Sequence, residues 1–316
     1  MSADPVTVAI PVRNGGGLLE DVLAATRRQR LGRPLELLVA DSGSTDGSAA
    51  LARRYGAEVI PIAPGDFSHG GTRNLLFERA SGSHVAFLTQ DAVPADEGWL
   101  ARLLEGFDLG EDVALVFGPY RPRADASPMV TRELEEWFGS FGTRDEPVVD
   151  RGLPAGPAAD RRPGFFTDAN GCVARWAWER VPFRAAAYAE DQFLARDMLA
   201  AGYAKAYHPA AAVIHSHDYS PIQLFQRCFD EWRALREVRG TVAEAGAVRV
   251  GLTVQRRVRD DLAYLRRSGT PSADLLPAAA RSLAHHVARE SGAALGSRAE
   301  RLPPPVRRAC SLEGRA

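Results

Sequence analysis

Apolar runs and helix-spaced apolar residues alternate along the first 118 residues of the chain. Short apolar, β-branched runs predict buried strands at 6–11, 35–40, 58–62, 85–88 and 113–118. Apolar residues at helical spacing predict helices at 18–29, 48–55, 72–80 and 99–107. Strands alternating with helices imply right-handed crossovers, so we predict an α/β fold with a mostly parallel central sheet flanked by helices.

The second half of the sequence has a different pattern. Asp145 to Gly164 is rich in Pro, Gly, Asp and Arg and predicts a loop. Glu190 to Ala201 predicts a strong helix, and Val254 to Arg267 predicts a basic amphipathic helix. We therefore divide the chain into an α/β domain over 1–220 and a helical C-terminal extension over 221–316.

Composition narrows the class of protein. The 316 residues carry 39 basic and 40 acidic side chains, and a net charge of -1 argues against a dedicated nucleic-acid binder. With 45% hydrophobic residues, the chain can bury a sizeable core. Its three cysteines are far apart, which disfavours a zinc ribbon or a disulfide framework. With neither a signal peptide nor a long apolar run in the sequence, we expect a cytoplasmic protein.

Polar residues follow several of the predicted strands. Arg13 and Asn14 come after the first strand, Asp41 ends the second, and Asp91 ends the fourth. In open α/β sheets, ligands bind beyond the carboxyl ends of the strands. We therefore expect these side chains to converge on one crevice.

Asp91 stands at the tip of a buried strand in Thr89-Gln90-Asp91-Ala92. A carboxylate in this position is suited to Mg²⁺ or Mn²⁺, which prefer oxygen ligands and leave positions open for phosphate. The residues equally allow Asp91 to cap the turn before Pro94.

Two further segments suggest contacts to a nucleotide. Gly70 and Gly71 precede a helix, where exposed amides favour anions, and Arg73 in the first turn is unfavourable unless an anion is near. A tight turn with a solvated arginine explains the same residues. Asp41 could accept a hydrogen bond from the imide N–H of uracil or thymine, or form an Asx turn.

Candidate catalytic and metal-binding groups come later in the chain. Glu190 and Asp191 open a helix, where one of them could act as a general base, although carboxylates are favoured at helix N-termini in any case. His215 and His217 alternate at a strand end, so at most one faces the crevice unless the chain turns there. A histidine here could complete a metal shell, contact a diphosphate, or be structural.

Placed in order, these motifs resemble glycosyltransferase family 2 with the GT-A fold. The resemblance rests on IPVRN at 10–14, VADSGSTDG at 39–47, HGGTRN at 69–74, FLTQDA at 87–92 and Glu190-Asp191, and it spans about residues 5–220. The segments FSHGGTRN, LTQDA and HSHDYS are most similar to bacterial rhamnosyltransferases, which use dTDP-L-rhamnose.

The resemblance implies a role for each matching residue. The sites that hold the nucleotide sugar would be Pro11, Arg13, Asn14, Asp41, Gly71, Arg73 and Gln90. Asp91 would be the last aspartate of the D-x-D metal motif, whose first aspartate is replaced here by Thr89 or Gln90. His215 or His217 would contact the metal (Mg²⁺ or Mn²⁺) or the diphosphate. Asp191, next to Glu190, would be the catalytic base of an inverting transfer to a hydroxyl acceptor.

Several alternatives stay open at this stage. The donor could be another sugar linked to UDP or GDP, and the acceptor could be a glycan, a lipid-linked saccharide or a natural product. The basic helix at 256–267 allows peripheral contact with the inner face of the cell membrane, or a non-catalytic binding module. A sugar-phosphate nucleotidyltransferase is disfavoured because its glycine-rich loop should follow the first strand. The first loop also lacks the G-x-G-x-x-G of a nicotinamide oxidoreductase.

Overall fold

A central sheet of eight strands organises the protein. The structure, a computed structural model, describes residues 4–63, 65–143, 145–153, 164–186 and 188–314. The strands of the central sheet are β1 (Val6–Val12), β2 (Leu35–Asp41), β3 (Glu58–Pro61), β4 (His84–Leu88), β6 (Val113–Phe117), β8 (Val148–Arg151), β9 (Asn170–Ala174) and β10 (Ala204–Tyr207). Their spatial order is β3-β2-β1-β4-β9-β6-β10-β8. Pairing is parallel from β3 through β4 and between β6 and β10, whereas β9 and β8 run antiparallel to their neighbours.

Helices flank this sheet and form the C-terminal part of the chain. They are α1 (Gly16–Arg27), α2 (Ser48–Arg54), α3 (His69–Arg79), α4 (Trp99–Glu105), α5 (Pro128–Gly139), α6 (Arg175–Trp178), α7 (Glu190–Ala200), α8 (Pro221–Arg239), α9 (Ala247–Arg267), α10 (Ser272–Gly296) and α11 (Pro304–Cys310). Single 3₁₀ turns follow α4 and α10 at Gly106–Leu109 and Ala299–Arg301. The predicted fold class, a mostly parallel sheet flanked by helices with further helices at the C-terminus, is confirmed.

Alternation along the strands builds a core on both faces of the sheet. Val8 and Ile10 belong to one buried cluster, whereas Ala9 between them belongs to the other. Leu37 and Leu38 divide in the same way. Successive side chains of a strand point to opposite faces, so strands that are apolar at every position can be buried on both sides. This explains why the strand signal was a continuous apolar run.

A second, three-stranded sheet lies beside the first and contributes to the site. It consists of β5 (Val93–Pro94), β11 (Val213–Ile214) and β7 (Tyr120–Arg121), in the order β5-β11-β7. Ile214 is paired with Val93 on one side and with Arg121 on the other. These short strands bring together three segments that are distant in sequence.

Two predictions from the sequence need correction. The predicted loop over Asp145–Gly164 contains β8, an edge strand antiparallel to β10, while residues 154–163 lie outside the described part. The basic helix begins at Ala247 rather than Val254. Pairing with a sheet edge and packing against other helices are tertiary effects, so local composition did not reveal these boundaries.

The C-terminal helices pack tightly against one another. A Cβ atom on Gly292 of α10 would overlap the main-chain carbonyl of Phe225 in α8, so only glycine allows this close approach. Among the described residues, helices long and apolar enough to span a bilayer are lacking. The division at residue 220 stays a prediction.

Candidate active site

A cleft of about 560 Å³ opens at the carboxyl-terminal edge of β4. Its walls come from the start of α3, from β7, from α5, from the start of α7, from the segment after β11, and from α8 and α10. Asp91, Arg73, Glu190, Asp191, His215 and His217 all line it. The structure therefore brings together the predicted metal-binding and catalytic residues.

Asp91 and the two histidines meet because of the small sheet. Asp91 lies two residues before Val93, and His215 directly follows Ile214, which pairs with Val93. His215 Nδ1 lies 3.6 Å from Asp91 Oδ1, and His217 Nε2 lies 3.2 Å from Asp91 Oδ2. The strand ends at Ile214, and the irregular segment after it allows both imidazoles to face the same carboxylate. The chain therefore leaves the strand after Ile214, which is the condition under which both histidines were expected to face the crevice.

The donor set of these three residues fits a divalent cation. Their ligand atoms all lie within 4.8 Å of one another. His215 Nδ1 is buried and has no hydrogen-bond partner among the described residues. Burial lowers the pKa of His215 to about 4, so its imidazole is neutral at pH 7, the form that binds metals. An uncharged, unpartnered nitrogen facing a carboxylate is what a metal site requires.

Arg123 and Tyr219 support this triad, and sequence analysis missed both. The Arg123 guanidinium donates to the main-chain carbonyls of Asp91 and Ser216, and it thereby ties the two ligand segments together. The Tyr219 ring stacks on His217 with a centroid distance of 5.3 Å. Arg123 lies two residues beyond β7, and only the pairing of β7 with β11 reveals its position.

Three neighbouring carboxylates line the cleft, two from the start of α7 and one from the segment before β9. Glu190 and Asp191 belong to the first turn of α7, and Asp168 precedes β9. Arg73 forms ion pairs with Asp168 and with Glu190, whose Oε1 lies 2.7 Å from Arg73 Nη1. Arg73, Asp168 and Glu190 are almost completely buried, and Asp191 is partly buried. Asp168 was missed because FFTDANG indicated only a strand and a turn.

The proximity of these three carboxyls, together with burial, gives them different pKa values. Burial, reinforced by Asp168 and Glu190, raises the pKa of Asp191 well above its ordinary value. Burial also raises the pKa of Asp168 to about 7, despite Arg73. For Glu190, burial is outweighed by the positive charge of Arg73, and its pKa is lowered. Of the two carboxyls in the first turn of α7, Asp191 therefore has the raised pKa and is the better proton acceptor.

The glycine pair before α3 has a packing role. A Cβ atom on Gly70 would overlap the main-chain carbonyl of Arg184, so glycine is required there. The Gly71 amide donates to Oγ of Ser68, the N-cap residue, at 3.2 Å. Arg73 is oriented by the carbonyl of His69 as well as by its two carboxylates. The alternative of a solvated arginine is wrong, because anionic side chains of the protein itself surround Arg73.

The remaining predicted residues lie along the same sheet edge, at the ends of β1, β2 and β4. The Arg13 amide donates to Gln90 Oε1 at 2.8 Å, which joins the loop after β1 to the end of β4. Asn14 adopts a left-handed backbone conformation (φ 52°), and its side-chain Oδ1 accepts a hydrogen bond from the Thr45 amide. Pro11 belongs to β1 itself. That these four residues hold the nucleotide sugar stays a prediction.

Asp41 combines both of the roles considered for it. Its Oδ2 accepts from the Ser44 amide at 3.3 Å, as in an Asx turn. Its Oδ1 is buried and lacks a hydrogen-bond partner within the described ranges. One oxygen therefore shapes the loop, and the other is free to accept a hydrogen bond from a ligand.

Known proteins resemble this chain in sequence. The model of the family described as "Glycosyl transferase family 2" matches residues 7–158. The O-antigen chain rhamnosyltransferase WbaN of Salmonella anatum is 31% identical over 230 residues, which cover 71% of this chain and 70% of WbaN. The O-antigen chain rhamnosyltransferase RfbN of Salmonella typhimurium is 33% identical over 231 residues, with the same coverage. The chain belongs to glycosyltransferase family 2.

Solved structures of glycosyltransferases share the fold of this family 2 enzyme. The mannosyltransferase PcManGT from Pyrobaculum calidifontis, solved with GDP-Man and Mn²⁺, has a TM-score of 0.59 and 17% identity, covering 95% of this chain and 88% of its own. Glucosyl-3-phosphoglycerate synthase from Mycobacterium tuberculosis, solved with Mn²⁺ and UDP, has a TM-score of 0.52 and 19% identity, covering 75% and 81%. These likenesses confirm the GT-A fold.

Aromatic side chains also line the cleft of the glycosyltransferase. Trp137 and Phe138 of α5, together with Phe165 and Tyr120, contribute to this wall. Phe166 is fully buried in the core instead. Tyr120 hydrogen bonds to Thr167, next to Asp168. An apolar wall with few polar groups is typical of a pocket that accepts a sugar or its acceptor.

A second group of histidines and carboxylates lies at the far end of the cleft. Glu133 of α5 accepts from Arg289 at 2.8 Å and lies 3.3 Å from His285 Nε2. His286 Nε2 lies 2.8 Å from Asp261 Oδ2. Because Arg289 already forms an ion pair with Glu133, this group is better suited to joining α5 to the C-terminal helices than to binding a cation.

Proposed function

We propose that this glycosyltransferase moves L-rhamnose from dTDP-L-rhamnose to an acceptor hydroxyl, with inversion at the anomeric carbon. The observation that carries the proposal is the shared cleft, which Asp91, His215 and His217 line together with the carboxylate of Asp191. The choice of rhamnose is supported by the two O-antigen rhamnosyltransferases that match over 70% of their own length.

Asp91, His215 and His217 would hold the cation. When bound there, Mg²⁺ or Mn²⁺ would supply positive charge beside the diphosphate leaving group. Two imidazoles and one carboxylate favour Mn²⁺ over Mg²⁺, since Mg²⁺ prefers oxygen ligands. Arg123 keeps the two ligand segments at a fixed spacing through its bonds to their carbonyls.

Asp191 would act as the general base. The acceptor oxygen attacks the anomeric carbon while the bond to the diphosphate breaks, and the electron pair leaves with the diphosphate. The acceptor proton moves to Asp191, whose raised pKa makes it a stronger base than an ordinary aspartate. Attack on the face opposite the leaving group inverts the anomeric configuration, as with the single activating carboxylate of an inverting glycosidase.

Arg73 has a different role in this proposal from the one that the family resemblance implied. Its guanidinium already forms ion pairs with Asp168 and Glu190. The positive charge keeps Glu190 ionised beside the two other carboxyls. We therefore assign Arg73 and Glu190 to positioning Asp191 and not to direct contact with the diphosphate. Asp41 Oδ1 remains the acceptor proposed for the thymine imide N–H.

A donor panel tests the proposal. The enzyme is incubated with dTDP-L-rhamnose, UDP-glucose or GDP-mannose, with Mn²⁺, Mg²⁺ or EDTA, and binding is followed by calorimetry and sugar release by NMR. We expect the tightest binding for dTDP-L-rhamnose with Mn²⁺, and a product of opposite anomeric configuration to the donor. Preference for UDP-glucose or GDP-mannose would reject rhamnose and keep the reaction class. Binding without transfer or hydrolysis of any donor would favour a non-catalytic module.

The acceptor and the place of action belong to the proposal as well. A hydroxyl on a glycan or lipid-linked saccharide is favoured by the O-antigen relatives, and a natural product is the alternative. Such acceptors would place the enzyme in the cytoplasm, with peripheral contact at the inner face of the membrane.

A further inference from the structure

An apolar groove of about 960 Å³ runs between α9 and α10, outside the cleft described above. Its lining is almost entirely apolar: Ala247, Val250, Gly251, Val254, Val258, Leu276, Pro277, Ala279, Ala280, Leu283 and Val287, with Gln255, Arg259 and Ser291 at its margins. Leu276, Leu283 and Val287 follow one another at helical spacing on α10 and form one stripe. We propose that this groove and its rim dock the enzyme on an anionic membrane surface.

Exposed apolar side chains surround the groove. Leu276 is 80% exposed, Val248 is 77% exposed and Leu252 is 60% exposed. Single exposed apolar residues need no explanation, but a contiguous patch of them on one helical hairpin indicates a binding surface. These side chains project far enough to enter the boundary between headgroups and acyl chains.

Charge decides between a membrane and another apolar partner. The hairpin over residues 247–296 contains eight arginines and four acidic residues, although the whole chain has a net charge of -1. Exposed arginines flank the groove on α9 and α10: Arg256, Arg259, Arg266, Arg267 and Arg281. Salt bridges between these five and acidic side chains are missing in the part of the chain that the structure describes. One of the hairpin's acids, Asp261, is buried against Arg132 and His286.

A second copy of this chain fits the rim less well. Two such hairpins in a dimer would place arginine against arginine, which costs energy unless other groups intervene. An apolar stripe beside unpaired arginines is the arrangement of helices that lie in the plane of an anionic bilayer. We therefore commit to the bilayer surface as the occupant.

The groove is joined to the cleft through α10. His285 and Arg289 lie on one face of this helix and line the cleft, while Leu283 and Val287 lie on another and line the groove. Docking of the hairpin would therefore hold the acceptor side of the cleft beside the membrane. This part of the inference rests on the proposed function, whereas the binding itself requires neither donor nor acceptor.

Flotation of the whole protein with vesicles tests the proposal. Vesicles of phosphatidylcholine alone are compared with vesicles that also contain phosphatidylglycerol, at low and high salt. We expect binding to the anionic vesicles, reduced by salt, and little binding to the neutral ones. Equal binding to both, or none to either, would overturn the proposal.

Three variants locate the binding surface. Arg256→Ser with Arg259→Ser should weaken binding about twentyfold, since each arginine near the surface contributes about a factor of five. Leu252→Ser with Leu276→Ser should remove most of the apolar contribution to vesicle binding. Ile222→Ser is the matched control, because Ile222 is 73% exposed on α8 and does not line the groove.

Thermal unfolding and sedimentation complete the test. All of the variants change exposed residues, so their Tm should match that of the unmodified enzyme. A concentration-dependent dimer that Leu252→Ser with Leu276→Ser dissociates would show that a second copy covers the groove and would refute membrane docking. Activity on a water-soluble acceptor is expected to be unchanged in all variants. If wild type binds vesicles yet transfers no sugar, the proposed function fails and the docking proposal stands.

Discussion

Replacing Arg73 by methionine should destabilise the enzyme severely, because it removes the guanidinium that pairs with two buried carboxylates. Arg73 is 3% exposed and pairs with Asp168 and Glu190, which are 6% and 5% exposed. Breaking a buried ion pair by removing one partner leaves an uncompensated buried charge, which costs about 3–5 kcal/mol. We expect a loss of this size in the free energy of unfolding at pH 8.

The loss should depend on pH in a definite direction. Glu190 has a lowered pKa in the folded enzyme, so its pairing with Arg73 stabilises the fold above its ordinary pKa, and that contribution disappears as the pH falls. Asp168 has a raised pKa of about 7, so its ionisation destabilises the fold as the pH rises through 7. At pH 5.5 Asp168 is neutral, and the effect of Arg73→Met should be smaller there by about 1.4 kcal/mol for each unit of altered pKa.

Urea unfolding followed by circular dichroism at pH 8 and pH 5.5 measures both effects. Arg73→Lys should lose less than Arg73→Met, because it keeps the charge but loses the two-pronged contact. Arg54→Met is the control, since Arg54 is exposed at the end of α2. A loss under about 1 kcal/mol for Arg73→Met, together with weak donor binding, would refute the positioning role and restore the diphosphate contact.

Four further predictions concern the cleft. Asp191→Asn should lower kcat by about 10²–10⁴-fold, because the general base is lost. Donor affinity in calorimetry should be unchanged, and Tm should not fall, because a carboxyl with an unfavourably raised pKa is removed. Activity above one tenth of wild type would reject Asp191 as the base. With wild type, kcat should rise with pH as Asp191 loses its proton, and the acid limb should lie well above pH 4. His217→Ala should weaken Mn²⁺ binding in calorimetry at least tenfold, while His84→Gln, on the far end of β4, should leave it unchanged. Ala189, with φ 59° at the N-cap of α7, should tolerate glycine with a gain of about 1 kcal/mol in urea unfolding, and a clear loss would contradict the strain argument.

Sequence analysis predicted the fold well because the strands of the parallel part are continuous, largely apolar runs. A run such as LELLVA is typical of a strand in a sheet that is covered on both faces. Edge strand β8 carried no such signal, since its side chains are only half-buried and its pairing with β10 supplies the structure. The antiparallel insertion of β9 between β4 and β6 likewise depends on long-range pairing.

The site was predicted in part, and its gaps have a common cause. Asp91 and Asp191 were found because they stand where a strand ends and a helix begins. Asp168 and Arg123 were missed because their importance comes from partners far away in sequence, namely Arg73 and the segment around Ser216. The sequence left open whether His215 and His217 both face the site, because the answer depends on where β11 ends, and it ends at Ile214.

Anomalous diffraction from crystals soaked in MnCl₂ and dTDP tests the central claim most directly. The account predicts one manganese peak between Asp91, His215 and His217, with the diphosphate oxygens in its remaining positions and Asp191 on the opposite wall of the cleft. Manganese bound instead at Glu133 and His285, or dTDP bound away from this cleft, would contradict it.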